Sequence, residues 1–326
     1  MIVDIHAHFT PPEWIIELQR NGSIYGCRVD QDESGKLWLR LGEGKPKELT
    51  PELANLSLRL GALTELGVDR QVLSPVMNTV GYELDARHGQ ALSRLFNETN
   101  VEIAKKYNGI FIPVATIPMQ SGSAAVEELD YAVKNLRIRM IEIGTHVNGL
   151  NLDEEAFRPF FQRAADLGVL VQIHPHKIAA PDRLRRYNLS NLVGNPVDTA
   201  IAAASLIFGG ILDRYPSLNV CLVHGGGALP YLLGRFSHGY MAFPESHTTP
   251  EPPETYFRKF YFDTLAHDAR LLAFLHSSVG TERLMLGTDY PYDAGDKHPL
   301  ETLRKAGLEN EQNILGGNAV RLLGLN

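Results

Sequence analysis

Short runs of β-branched and aliphatic residues recur along the chain, separated by polar or glycine-containing segments. They are Ile2–Ile5, Arg70–Ser74, Gly109–Ala115, Met140–Gly144, Val169–Ile173, Asn219–Val223, Lys259–Asp263 and Leu284–Gly287. Each has about the length of a strand buried on both faces, which reads as a continuous apolar run and not as strict alternation. Between most of them the apolar positions follow helical spacing. Ala86–Tyr107 carries Leu92, Leu95, Phe96 and Ile103 and stops at Asn108-Gly109. Pro159–Leu167 ends at Gly168 in the same way, and Pro196–Tyr215 ends before Pro216. Eight buried strands alternating with helices predict an α/β fold, a (β/α)8 TIM barrel.

The connection between Ile5 and the helix expected near Pro51 is too long for an ordinary βα loop. Within it, Tyr25–Val29 and Leu37–Leu41 flank the polar turn Asp32-Glu33-Ser34-Gly35. This predicts a small β-hairpin insertion after the first strand, at about residues 12–48, lying over the barrel mouth. A second long loop, Tyr240–Thr255, is rich in proline and reads as irregular. No repeat beyond the βα unit and no low-complexity tract is present, so residues 1–326 read as one barrel domain.

Composition narrows the partners. The 326 residues hold 31 Lys and Arg against 38 Asp and Glu, a net charge of −7. An acidic chain lacks the footprint of a nucleic-acid binder and the basic tracts that hold proteins on anionic membranes. No stretch approaches the roughly 20 apolar residues that span a bilayer. Met1-Ile2-Val3-Asp4-Ile5 lacks the basic start of a secretory signal, so a cytoplasmic location is expected. Cys27 and Cys221 make no disulfide framework, and Cys221 reads as a small buried hydrophobe.

Twelve histidines give the chemistry, through their placement. The first strand runs into Asp4-Ile5-His6-Ala7-His8, the fifth into Ile173-His174, the sixth into Val223-His224 and the eighth into Gly287-Thr288-Asp289. In a barrel all C-terminal strand ends face one mouth, so residues scattered in sequence converge. His6 and His8, two apart on extended chain, point to one face and can share a divalent metal. His174 and Asp289 complete a set of imidazoles and carboxylate that suits Zn²⁺, Mn²⁺ or Fe²⁺. A lone histidine after a strand is more often a packing or hydrogen-bonding residue. Suitable ligands on four strand ends at one mouth carry the metal reading.

The remaining candidates are weaker. His176 reads as a pocket residue or a satisfied polar one, and His146 and His267 follow the fourth and seventh strands. His88, His238, His247, His276 and His298 read as surface or interface residues. Phe9, Trp14 and Tyr292 read as pocket walls. Gly225-Gly226-Gly227 lacks the flanking fingerprint of a nucleotide site and reads as close backbone approach at the mouth.

Several segments carry a resemblance to a known family: DIHAHFTP at 4–11, IHPH at 173–176, NLVGNPVDTAIA at 191–202, HGGGALPYLLGR at 224–235 and GTDYPY at 287–292. The chain resembles the amidohydrolase superfamily (the amidohydrolase 2 family), in its aminocarboxymuconate-semialdehyde decarboxylase-like branch, across essentially its whole length. The resemblance implies that His6, His8, His174 and Asp289 ligate one metal ion, usually zinc. It implies that His224 is the base activating metal-bound water and that Asp289 also carries a proton. Arg235 matches an arginine that binds a substrate carboxylate, often across a dimer interface, which implies a homodimer. Lys47 falls, by ungapped counting, where the family has a second substrate arginine; it keeps the charge and loses the bidentate fork. Tyr187 falls where the family often has tryptophan. These departures point to a relative of the named decarboxylase.

The fourth strand, Met140-Ile141-Glu142-Ile143-Gly144, has no lysine to bridge two metals, which favours a mononuclear site. Glu142 reads as a structural residue near the ligands, with a bridging role as the alternative. The resemblance implies a metal-dependent nonoxidative decarboxylase, a carbon–carbon lyase, of a small unsaturated or aromatic carboxylic acid. The alternative is a metal-dependent hydrolase of a lactone, ester or amide, and a third class is a silent barrel used for binding.

Overall fold

A computed structural model describes residues 1–325. Each expected run contains a strand: Val3–Asp4, Arg70–Leu73, Phe111–Pro113 with Ala115–Thr116, Met140–Gly144, Leu170–His174, Asn219–Leu222, Tyr261–Asp263 and Leu284–Met285. Their ladders are parallel. Val3–Asp4, Arg70–Leu73 and Phe111–Pro113 form one sheet, and six strands from Ala115–Thr116 to Leu284–Met285 form another, in chain order. The segment 111–116 serves both sheets and changes over at Val114. At the opposite edges Ile5 N donates to Leu286 O at 2.9 Å, and Ala7 bridges Tyr290. The fold is mixed α/β with parallel sheets, and the ladder is not continuous across these two joints.

Both faces of the strands are buried, which explains the apolar runs. Inner-facing Val72, Met140, Leu170, Cys221 and Met285 pack together and are closed off by Leu322 and Leu323 of the C-terminal helix Asn318–Leu323. Ile141, Ile143, Val171 and Ile173 pack outward with Phe160, Phe161 and Leu206 of the covering helices. The expected Pro196–Tyr215 helix is two pieces, Asn195–Phe208 and Ile211–Arg214. The break follows from Gly210, which adopts a left-handed φ of 71°.

The insertion is larger than a hairpin. A helix, Pro12–Asn21, precedes a three-stranded antiparallel sheet of Cys27–Gln31, Leu37–Leu41 and Lys47–Leu49. The third strand, only three residues long, is too short to carry an alternation signal. Leu39, Leu41 and Leu49 pack on Trp14, Leu18, Leu92 and Phe96. Trp14 is therefore core of the insertion, where it borders only a cavity of about 10 Å³; Phe9 is likewise fully buried in the main core. The Tyr240–Thr255 loop is shorter than expected, because the helix Leu229–Ala242 runs into it and another begins at Pro253.

Candidate metal centre

The strand-end residues meet. His6, His174, His224 and Asp289 each offer a ligand atom, all within 4.8 Å of one another and largely buried. His8 joins them: its Nε2 lies 3.2 Å from His174 Nε2 and 3.2 Å from Asp289 Oδ1. His6 Nε2 lies 3.4 Å from the same oxygen, and His224 Nε2 lies 3.7 Å from Asp289 Oδ2. All five residues singled out at the strand ends occupy one place.

Their hydrogen bonds fix which nitrogen is free. His8 Nδ1 donates to Pro75 O at 2.9 Å and His174 Nδ1 to Pro175 O at 2.8 Å. Carbonyl oxygens only accept, so both Nδ1 atoms carry the proton and both Nε2 lone pairs point at each other. His6 Nδ1 donates to Asp263 Oδ2 at 2.7 Å, which leaves His6 Nε2 buried with no hydrogen-bond partner. Asp289 Oδ1 is buried and unpartnered as well. Facing lone pairs beside an unsatisfied carboxylate oxygen repel unless a cation lies among them, and imidazole nitrogens with one carboxylate are an appropriate set for Zn²⁺ or Mn²⁺.

The electrostatics agree. Burial works against ionising Asp289, but the surrounding His6, His224 and His8 hold its carboxyl well below the usual range. Burial lowers the pKa of His174 strongly, helped by His8, His224 and His6, so it stays a neutral donor. His6 goes the other way: burial lowers it, but Asp289 and the Asp263 hydrogen bond raise it to about 9. Burial pushes Glu142 up to about 7 against the opposing pull of His8 and His6.

Asp263 was missed from sequence. It ends the seventh strand, accepts from His6 Nδ1, and takes the backbone N–H groups of His224 at 2.9 Å and Gly225 at 2.7 Å. The strand-end logic that found the clustered residues applies to it equally. His224 and Asp289 themselves adopt left-handed φ values of 57° and 61°, a strained state for non-glycine residues. Asp263 holds the first, and a 2.7 Å bond from Asp289 N to His6 O holds the second.

Below these contacts, fully buried Arg59 donates to His8 O and, at 2.6 Å, to Gln71 Oε1. Gln71 donates to Asp4 Oδ2, and Asp4 accepts from His6 N, Thr288 N and Thr288 Oγ1. The network clamps the segment carrying His6 and His8 to the segment carrying Asp289.

A cavity of about 890 Å³ opens above the cluster, with His224 and Asp289 at its floor and Leu192, Leu265, Leu271, Phe274 and Leu275 among its walls. None of Arg235, Lys47, Tyr187 or His176 lines it. Arg235 is exposed on the helix Leu229–Ala242, one turn beyond the cavity residue Tyr231, and Tyr187 is exposed. Lys47 and His176 belong to a second cluster. Lys47 Nζ lies 2.8 Å and Lys177 Nζ 3.4 Å from the Glu83 carboxylate, while His176 stacks on His146 at 4.8 Å. His267 lines the cavity, and Tyr292 packs 5.2 Å from the His8 ring.

The sequence profile of the family described as Amidohydrolase matches residues 3–325. The chain is 34% identical to the 2-amino-3-carboxymuconate-6-semialdehyde decarboxylase of Dictyostelium discoideum, over 99% of this chain and 91% of that protein. It shares its fold with the 5-carboxyvanillate decarboxylase of Sphingomonas paucimobilis, with a TM-score of 0.82 at 23% identity, covering 100% of this chain and 99% of that one. It also shares it with a dihydroxybenzoic acid decarboxylase from Polaromonas, solved with manganese and the inhibitor 2-nitroresorcinol. There the TM-score is 0.79 at 22% identity, covering 100% of this chain and 97% of the other.

Proposed function

The chain belongs to the amidohydrolase family, and on that premise we propose that it is a metal-dependent nonoxidative decarboxylase of a small unsaturated or aromatic carboxylic acid. The observation that carries this reading is the set of unsatisfied ligand atoms, His6 Nε2 and Asp289 Oδ1 foremost, at the floor of an apolar cavity. The decarboxylase relatives supply the reaction class. The two sheets are read as one (β/α)8 barrel closed through the joints at Val114 and Ile5–Leu286, in a single domain carrying the insertion. A cytoplasmic location is part of the same proposal.

In this reading His6, His8, His174 and Asp289 hold one divalent ion, zinc first, with manganese or iron as alternatives. Bound there, the ion supplies a positive charge beside the departing carboxylate and acts as the electron sink. His224 takes or returns a proton at Nε2, facing both Asp289 and the cavity. As the carbon–carbon bond breaks and CO₂ leaves, the electron pair stays on the substrate carbon and is capped by the proton that His224 took up, handed on by way of the adjacent Asp289 carboxylate. Leu265, Phe274 and Leu275 hold the unsaturated body of the substrate and exclude water. Arg235 is assigned to the carboxylate of a substrate bound in a second copy, which makes the working unit a homodimer. His176 and Tyr187 are assigned to the rim of the mouth, and Lys47 joins them with its charge already paired to Glu83.

The test is release of labelled CO₂ from a panel of carboxyl-labelled hydroxybenzoates and carboxymuconates, before and after metal removal. Release is expected to vanish on chelation and to return with Zn²⁺ or Mn²⁺. Release that survives complete metal removal overturns the metal reading. Opening of a lactone or ester in the same panel without CO₂ transfers the chain to the hydrolases.

A further inference from the structure

One polar layer inside the strands has no part in the site as described. Glu142, in the middle of Met140–Gly144, is fully buried, with the Ser74 hydroxyl beside it but no well-formed hydrogen bond to either carboxylate oxygen. Gln172 is its register partner on Leu170–His174, also fully buried, with both amide atoms unpartnered. Thr116 is the register partner on the other side, and its hydroxyl and that of buried Ser74 are unpartnered too.

Strand geometry says where this layer lies. Gln172 precedes the ligand candidate His174 by two residues, so both side chains leave the same face, Gln172 one step deeper. Glu142, in register with Gln172, shares that face. Deeper still, Met140 and Leu170 belong to the apolar inner cluster. The layer therefore sits between the ligand cluster and an apolar floor.

Native proteins leave few buried polar atoms unsatisfied, and those that remain call for a water, an ion or a catalytic duty. Here six such atoms lie together: both oxygens of Glu142, both amide atoms of Gln172 and the hydroxyls of Thr116 and Ser74. A buried carboxylate with no more than a neighbouring hydroxyl to offset its charge is costly, and replacing it by a neutral group should relieve the fold. Among the described residues it makes no ion pair with lysine or arginine, and the groups that pull on its charge are His8 and His6 of the imidazole cluster. All donors in the layer are oxygens or an amide, whereas a zinc-type ion prefers the imidazole nitrogens above.

We propose that Glu142 is the fixed counter-charge of the metal centre, a carboxylate that pairs with the divalent ion from outside its ligand set, across buried water held by Gln172, Thr116 and Ser74. Neighbours of this kind orient the ligands and strengthen the hold on the ion without touching it. Glu142 is thus a positioning residue. The proposal rests on the metal reading above. Metal analysis of the unmutated chain separates the two: a chain that takes up no divalent ion sinks that reading before Glu142 is tested.

The experiment strips the purified chain of metal, then measures Zn²⁺ affinity by competition with a chromophoric chelator and the melting midpoint of the metal-free protein. Glu142→Gln is expected to weaken Zn²⁺ binding about 10–100-fold while leaving the metal-free midpoint equal or higher. Glu142→Asp, which keeps the charge, is expected to stay within a few-fold of the unmutated chain. Unchanged affinity in Glu142→Gln overturns the proposal. So does an equal loss of affinity in both variants with a lowered midpoint, which assigns Glu142 to packing. Two ions per chain falling to one in Glu142→Gln makes Glu142 a direct ligand, and this too overturns it. Should Glu142→Gln fail to fold, Glu142→Asn against Glu142→Asp gives the same contrast at one side-chain length, and equal affinities decide against the proposal.

Discussion

Two clusters of histidine and charge lie near the C-terminal ends of the strands, and by residue type they look alike. One holds His6, His8, His174, His224 and Asp289; the other holds His146, His176, Lys47, Lys177 and Glu83. In the first, His6, His8 and His174 spend Nδ1 on fixed acceptors and turn Nε2 toward a common point. In the second, the charges satisfy one another: Glu83 lies between Lys47 and Lys177, and His146 bonds Lys177 O through Nε2 and accepts Gly149 N at Nδ1. His176, lowered to about 3 by burial and by neighbouring His146 and Lys177, stays neutral. Its Nδ1 is left without a partner, but it stands alone; what sets the first cluster apart is that several leftover atoms converge on one point, not the inventory of residues.

The two clusters differ most at His224. His224→Ala is expected to keep its metal and lose about 10²–10⁴-fold in kcat, read from metal content and CO₂ release together. Loss of the metal in that variant would make His224 a ligand instead. The next effect falls on Asp263, which locks the His6 ring. Asp263→Asn should weaken metal affinity about 10–100-fold, and an unchanged chelator competition would remove Asp263 from the centre.

A smaller effect concerns pH. His6 is raised to about 9 in the folded, metal-free chain against an ordinary 6.5. Its protonation therefore contributes stability that is complete below about pH 6.5 and is lost as pH rises through about 9. The metal-free melting midpoint should fall across that window, and bound Zn²⁺, taking the place of the proton, should flatten the fall. Identical slopes with and without Zn²⁺ would show that His6 does not face the ion. The smallest effect belongs to the second cluster: Lys47→Met should change kcat/KM by only a few-fold, in line with the small worth of a partly exposed ion pair. A hundredfold loss would mean that Lys47 leaves Glu83 for the substrate, and the two clusters would then be parts of one site.

Much of this was legible in the sequence, for a physical reason. Strands buried on both faces, such as Met140–Gly144 and Leu170–His174, write themselves as unbroken apolar runs, and the residue that follows each run marks the mouth. That placed His6, His8, His174, His224 and Asp289 together before any geometry was known. Asp263 was within reach of the same logic but closes a strand instead of following one. The clamp of Arg59, Gln71, Asp4 and Thr288 was not legible, because its members come from distant segments and each alone reads as an ordinary polar residue. Lys47 could be aligned by counting, but its pairing with Glu83 depends on a third short strand, Lys47–Leu49, that no alternation announces. Glu142 could be noticed; that nothing stronger than the Ser74 hydroxyl meets its carboxylate is a property of the packed interior alone.

The clamp between Asp4 and Thr288 joins residues 284 positions apart. During synthesis, His6 and His8 leave the ribosome long before Asp289 exists, a delay of roughly 15–60 s at about 5–20 residues per second. Throughout that interval the nascent chain has only part of the ligand set, and the buried arginine that fixes the His8 carbonyl has no finished wall to rest against. On the proposed ligand set, a polypeptide that stops short of its last strand carries the imidazoles without the Asp289 carboxylate that balances the ion, so the full set waits for the completed chain.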